Sequence, residues 1–119
     1  ADAIEGGQSA RDAVAEVARD NMRVVFNGET IADSTKSLVL RETHHADVHY
    51  FPRADVRMDF LHRTGHHTVC PFKGTASYWN IEAGGETVEN AVWSYEDPIE
   101  AVSEIKGYIS FYKDRVTIL

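Results

Sequence analysis

Thr75-Ala76-Ser77-Tyr78-Trp79-Asn80-Ile81-Glu82-Ala83-Gly84-Gly85-Glu86-Thr87-Val88-Glu89-Asn90-Ala91-Val92-Trp93-Ser94-Tyr95 is the stretch that decides the fold of this chain. Two alternating segments flank a glycine pair, the pattern of an antiparallel hairpin whose turn needs positive φ. With Gly84 and Gly85 as the turn, Ile81 faces Val88, Trp79 faces Asn90 and Ser77 faces Val92. Trp79, Ile81, Val88 and Val92 then share a core-facing side. The opposite side is charged near the turn, at Glu82 and Glu89, and becomes aromatic farther away at Tyr78, Trp93 and Tyr95. A face that changes in this way is either covered at its aromatic end or lines a pocket there.

Outward from the hairpin, short alternating segments continue in both directions, as in an antiparallel all-β body. Arg23 to Phe26 and Thr30 to Asp33 flank Asn27-Gly28, a second two-residue turn. Ser37 to Glu42, Val48 to Phe51, Val56 to Leu61 and His67 to Cys70 read as further strands, followed by a turn at Pro71 to Gly74. Tyr108 to Tyr112 and Val116 to Leu119 close the chain. Two helices are expected. Ser9 can cap a short one over about Ala10 to Asp20. A second spans about Pro98 to Lys106, where Asp97 caps, Ile99, Val102 and Ile105 share a face, and Gly107 stops it. The expected organisation is an N-terminal extension over 1–21 and a single compact, mainly β domain over 22–119, an antiparallel sheet or barrel-like fold.

The 119 residues suffice for one ordinary core, and 43% hydrophobic with 26% charged content is that of a soluble globular domain. No apolar run approaches a membrane span, and no charged-then-apolar leader opens the chain. A net charge of −7 argues against nucleic-acid and anionic-membrane binding. One cysteine makes neither an intrachain disulfide nor a multi-cysteine zinc site, so a cytoplasmic setting is expected. Self-association is left open.

Phe60 to Ile81 contains no Asp or Glu, although 19 acids in 119 residues would place about three or four there. Cys70 and Lys73 therefore lie in a stretch with histidines and Arg63 but no carboxylate. Cys70 reads as a nucleophile or redox thiol activated by these cations, or as a small buried hydrophobe. Lys73 and the Gly74 amide read as an anion cradle or as an ordinary turn, and a turn lysine is expected to be replaceable by methionine without loss of fold. Arg41, Glu42, Tyr50 and Asp55 form a polar set that suits ion pairing or acid–base work. His44, His45, His49, His62, His66 and His67 occur in two groups, but on strands and loops an i,i+4 spacing does not bring ligands together; no metal and no cofactor are expected.

These residues carry a family likeness. Phe26-Asn27-Gly28 with Ile31-Ala32-Asp33-Ser34, Tyr50-Phe51-Pro52 with Asp55-Val56, and Thr68-Val69-Cys70-Pro71-Phe72-Lys73-Gly74-Thr75-Ala76-Ser77-Tyr78 are its centre. Trp93-Ser94-Tyr95 with Pro98, then Ile105, Gly107, Tyr108 and Phe111-Tyr112 extend it. Over about Arg23 to Val116 the chain resembles the bacterial domain-of-unknown-function 427 family, sometimes labelled nucleotidyltransferase-like. The resemblance implies a β-rich fold of the β-tent kind. The four-cysteine zinc site of many β-tent proteins cannot form with one cysteine, and the glycine-serine turn with paired aspartates of nucleotidyltransferases is absent.

The leading expectation is a module binding a small anionic or aromatic-containing ligand. Lys73 and Gly74 would hold the anion, Tyr78, Trp93 and Tyr95 would wall the pocket, and Tyr50, Arg41 and Glu42 would stand nearby. The alternatives are an enzyme using Cys70 with Lys73, and a structural or interaction domain without a ligand.

Overall fold

The computed structural model describes residues 14–119. Within them, ten strands form two antiparallel sheets. Strands β1 (Val14–Val17), β4 (Leu38–Arg41), β5 (Val48–Phe51), β9 (Ile109–Phe111), β8 (Glu86–Ser94), β7 (Gly74–Ala83) and β6 (Leu61–Cys70) lie side by side in that order. Strands β10 (Thr117–Ile118), β2 (Met22–Phe26) and β3 (Glu29–Ser34) make the smaller sheet.

Alternation along β7 and β8 sends side chains into two separate cores. On one face Trp79, Ile81 and Val92 join Phe51, Ile109 and Phe111 against Val24, Phe26, Ile31 and Ala32 of the smaller sheet. On the other, Ala76, Tyr78 and Tyr95 join Tyr50, Leu38 and Leu40 under Val102 and Ile105. Each fully buried side chain of this size contributes roughly 1.5–3 kcal/mol, so both faces of β7 are strongly specified. The face assignment read from the sequence therefore holds.

The pairing register holds only near the turn. Ile81 faces Val88 as expected, but Trp79 pairs with Val92, and Ser77 with Ser94. Glu89, Asn90 and Ala91 oppose Asn80 alone, a bulge of two extra residues with Asn90 at φ 50°. A matching bulge on the other side of β7 sets Thr64, Gly65 and His66 against Tyr78. The two bulges are tied together: Thr64 Oγ1 donates to Asn90 Oδ1 at 2.7 Å, and Asn90 N donates to Asn80 Oδ1 at 2.9 Å. Asparagine accepts the left-handed backbone that this arch needs better than most side chains do.

Two other expectations are corrected, and a third, the helix near 98–106, holds in place but not in form. The helix expected over about Ala10 to Asp20 is absent across its described part. Val14–Val17 is a strand on β4, consistent with β-branched Val14 and Val17, while Ala10 to Ala13 lie outside the described residues. Val56 to Phe60 is not a strand, and Leu61 opens β6. The segment before it is built around 3-10 turns at Arg53–Asp55 and Met58–Phe60, and Val56, Met58 and Phe60 reach the first core from a turning chain. Near 98–106 the helix is a kinked 3-10 segment, Glu100–Ile105, with Val102 at φ −127°. Asp97 provides no cap. Ile99 holds the cap position, donates its N–H to Lys73 O at 3.0 Å, and is exposed, whereas Val102 and Ile105 are buried. Gly107 closes the segment at φ 72°. Among the described residues no helix is long and apolar enough to cross a membrane.

The two hairpin turns found in the sequence also dock. Asn27 Nδ2 donates to the carbonyls of Ala83 and Gly84, each at 3.1 Å. A Cβ at Gly84 would strike that amide, whereas one at Gly85 would meet nothing within 4 Å, although both residues have positive φ. Gly84→Ala is expected to cost more than Gly85→Ala by about 1 kcal/mol, the worth of the displaced hydrogen bonds, in urea unfolding midpoints. Equal midpoints would show that the turns are energetically independent.

Candidate functional site

Most of the residues singled out from the sequence gather on the second face of the large sheet. Cross-strand pairing sets Leu38 opposite Tyr50, Tyr50 opposite Ser110, Ser110 opposite Trp93, and Trp93 opposite Tyr78. Ser110 is the small member of this row. It leaves room for the Tyr50 and Trp93 rings to meet edge to face at 6.2 Å, and Trp93 Nε1 donates to Tyr50 Oη at 3.4 Å. Burial is the main reason that the Tyr50 and Tyr95 hydroxyls are held well above the usual tyrosine range. Neither serves as a base near neutral pH.

Lys73 and Glu42 meet in this region. Lys73 Nζ lies 2.6 Å from Glu42 Oε1, with the two side chains 14% and 9% exposed. The lysine charge read from the acid-free stretch is therefore matched by a carboxylate from the segment after β4. Gly74, at φ 116°, lies under the crossing chain: a Cβ there would sit 3.5 Å from Asp97 O and from Pro98 Cα. Those are ordinary van der Waals distances, so the positive φ, not lack of space, is what calls for glycine here. Cys70 is half-buried and packs against the same core. Arg41 is not part of the group. It pairs on the surface with Glu16 at 2.8 Å and Asp47 at 3.4 Å. Asp55 is elsewhere, accepting from Ser34 Oγ at 2.6 Å. Among the described residues no group of three or more His, Cys, Asp or Glu side chains is placed to hold a metal ion.

Open space lies at the Trp93 end of the aromatic face, on either side of Tyr112. The Tyr112 ring is 4.5 Å from that of Trp93 and stacks at 6.5 Å on Tyr78. Its hydroxyl is pushed up to about 12 by burial first, then by the bond to Tyr78. A polar groove of about 530 Å³ opens on the Tyr78 side, lined by His66, Asn90 and Arg115 among others; the twin bulges form part of its wall. A smaller cleft of about 270 Å³ opens on the Trp93 side, lined chiefly by Val48, His49, Trp93, Phe111, Lys113 and Ile118. Cys70, Lys73 and Tyr95 line neither of them.

His49, Tyr112 and Lys113 were not legible as site residues. His49 stands in an alternating strand and reads as a surface histidine, yet it is half-buried and its Nδ1 is buried without a hydrogen-bond partner. Burial, then the charge of Lys113, holds its ring below the ordinary value of 6.5. The folded state thus favours the neutral imidazole.

Two measurements follow from these pairs. Lys73→Met is expected to cost about 3 kcal/mol because it strands Glu42 in a nearly dry site, and Lys73→Met with Glu42→Leu should recover most of that loss. Equal stability of wild type and Lys73→Met in urea unfolding would count against the pair. For His49, the unfolded chain takes up a proton before the folded one as pH falls, so its contribution is present above about pH 6.5 and lost below it. His49→Gln should therefore make the acid-side loss of stability shallower; an unchanged slope would mean that His49 is solvated.

No curated protein matches the chain. A family model described as a domain of unknown function, DUF427, matches residues 14–119, which takes in β1 as well as both sheets and so reaches beyond the span expected from the sequence. With the whole described fold inside that match, the chain belongs to the DUF427 family.

Proposed function

We propose that this domain is a cytoplasmic small-molecule-binding module whose ligand carries an aromatic ring and a carboxylate. The observation that carries this reading is the cleft between β5, β8 and β9. Its walls are apolar and aromatic, at Val48, Trp93, Phe111 and Ile118, with a cation, Lys113, beside them and a carboxylate, Asp47, whose charge is met by Arg41 at 3.4 Å. Binding sites are commonly apolar hollows with few polar groups that fix orientation. A cleft of about 270 Å³ suits one ring with a short acidic arm. The neutral His49 ring offers a donor or acceptor in the same wall, and Lys113 complements the carboxylate. Lys73 has no such freedom, being paired with Glu42. The lone cysteine fits a reducing compartment.

The test is a thermal-shift series with benzoate, 4-hydroxybenzoate and indole-3-acetate against acetate as the ring-free control. The aromatic acids should raise Tm by mass action and acetate should not. Lys113→Met should weaken binding roughly tenfold, the loss of about 1.4 kcal/mol from one charge contact. Ile118→Phe, which puts a larger side chain into the cleft, should abolish the response. Shifts that are absent, or equal in wild type and Ile118→Phe, would remove the cleft from consideration.

A further inference from the structure

The opposite face of the large sheet carries a second charged arrangement. Arg53, in the 3-10 turn after β5, and Arg63, on β6, both lay their guanidinium groups over the Trp79 ring, at 5.5 and 4.8 Å from its centre. Trp79 is 4% exposed and fixed in the first core, so it is a rigid platform for both. Stacking on an aromatic face orients a guanidinium while leaving its N–H edge free for acceptors. Both arginines then reach the same atom, Glu96 Oε2, at 3.5 Å from Arg53 and 2.7 Å from Arg63. One carboxylate between two guanidinium groups leaves a net positive charge. Each fork has five N–H donors, so most remain unused by that single oxygen. The arginine side chains are 44% and 50% exposed, so those donors are within reach of a solute.

The strand beneath adds one hydroxyl, that of Ser77. Ser77 and Ser94 pair across β7 and β8, with Ser77 on the same face as Trp79. Ser94 is fully buried, and its hydroxyl has no hydrogen-bond partner. Arg63 first, and the Ser77 hydroxyl among lesser causes, hold the Glu96 carboxyl below its usual range, so it stays ionised at neutral pH. The carboxylate thus occupies the place where an oxyanion would be most favoured.

We infer that Arg53 and Arg63, preorganised on Trp79, form a binding site for a phosphate group, with the Glu96 carboxylate as its built-in competitor. Two planar forks converging on one oxygen match a tetrahedral dianion better than a single carboxylate, because several oxygens can then accept at once. The site shares no lining residue with the Trp93 cleft and does not depend on it.

Isothermal titration with inorganic phosphate and with glycerol phosphate, against sodium chloride at matched ionic strength, tests this. Saturable binding of both probes is expected; binding of inorganic phosphate alone would assign the site to the free ion, and both outcomes support the inference. Arg63→Gln should weaken binding at least tenfold. Arg53→Lys, which keeps the charge and loses the fork, should weaken it severalfold. Glu96→Gln should tighten binding at least threefold, since it removes the competitor. A simple surface brace predicts the reverse pattern, with Glu96→Gln less stable and no better at binding phosphate. No saturable binding above the chloride control, or no tightening in folded Glu96→Gln, would overturn the inference, whatever the aromatic acids do at the Trp93 cleft.

Discussion

Strand β7 has to bury both of its faces. Trp79 and Ile81 belong to one core, Ala76 and Tyr78 to another, and neither set can be wetted without losing a large part of the hydrophobic gain. The rest of the architecture answers that requirement. The small sheet covers one face, and the 3-10 segment with the tyrosine row covers the other. The turn at Pro71 to Lys73 is held where the covering segment begins, through the Lys73 carbonyl and the Ile99 amide. Gly74 touches this cover at ordinary van der Waals distance, and its φ of 116° is what calls for glycine there.

Local pattern made much of this legible. Alternation and paired turn residues identified the hairpins and which side chains share a face. Patterns produced by alternation in a chain that is itself turning were misread, as at Val56, Met58 and Phe60. The bulges left no signal, because Glu89-Asn90-Ala91 looks like ordinary strand sequence and acquires its arch from Thr64 and Asn80 far away in the chain.

Charge was the least legible property. The stretch from Phe60 to Ile81 is free of acids in sequence but not in space. Glu42 comes to Lys73, Glu96 to Arg63, and Glu82 approaches His62 at 3.9 Å. A basic run on adjacent strands attracts carboxylates from elsewhere in the fold, since unpaired charge near a core is costly. The expected site residues Tyr50, Glu42, Cys70, Lys73, Gly74, Tyr78, Trp93 and Tyr95 do converge, yet most of them converge as packing. Open space appears where the row meets Tyr112, a residue whose sequence context is that of any strand end.

The twin bulges bear on how this fold can change. Each inserts two residues, and side chains alternate with a period of two, so the strand resumes beyond the arch with every residue on its former face. Chain length at these two places is therefore quantised by parity. Insertion or deletion of a pair of residues alters the depth of the groove and leaves both cores in register. A change of one would turn Val92 and Trp93 inside out together. The groove wall is thus a place where relatives of this chain can differ in length, in even steps, without redesigning the sheet beneath it.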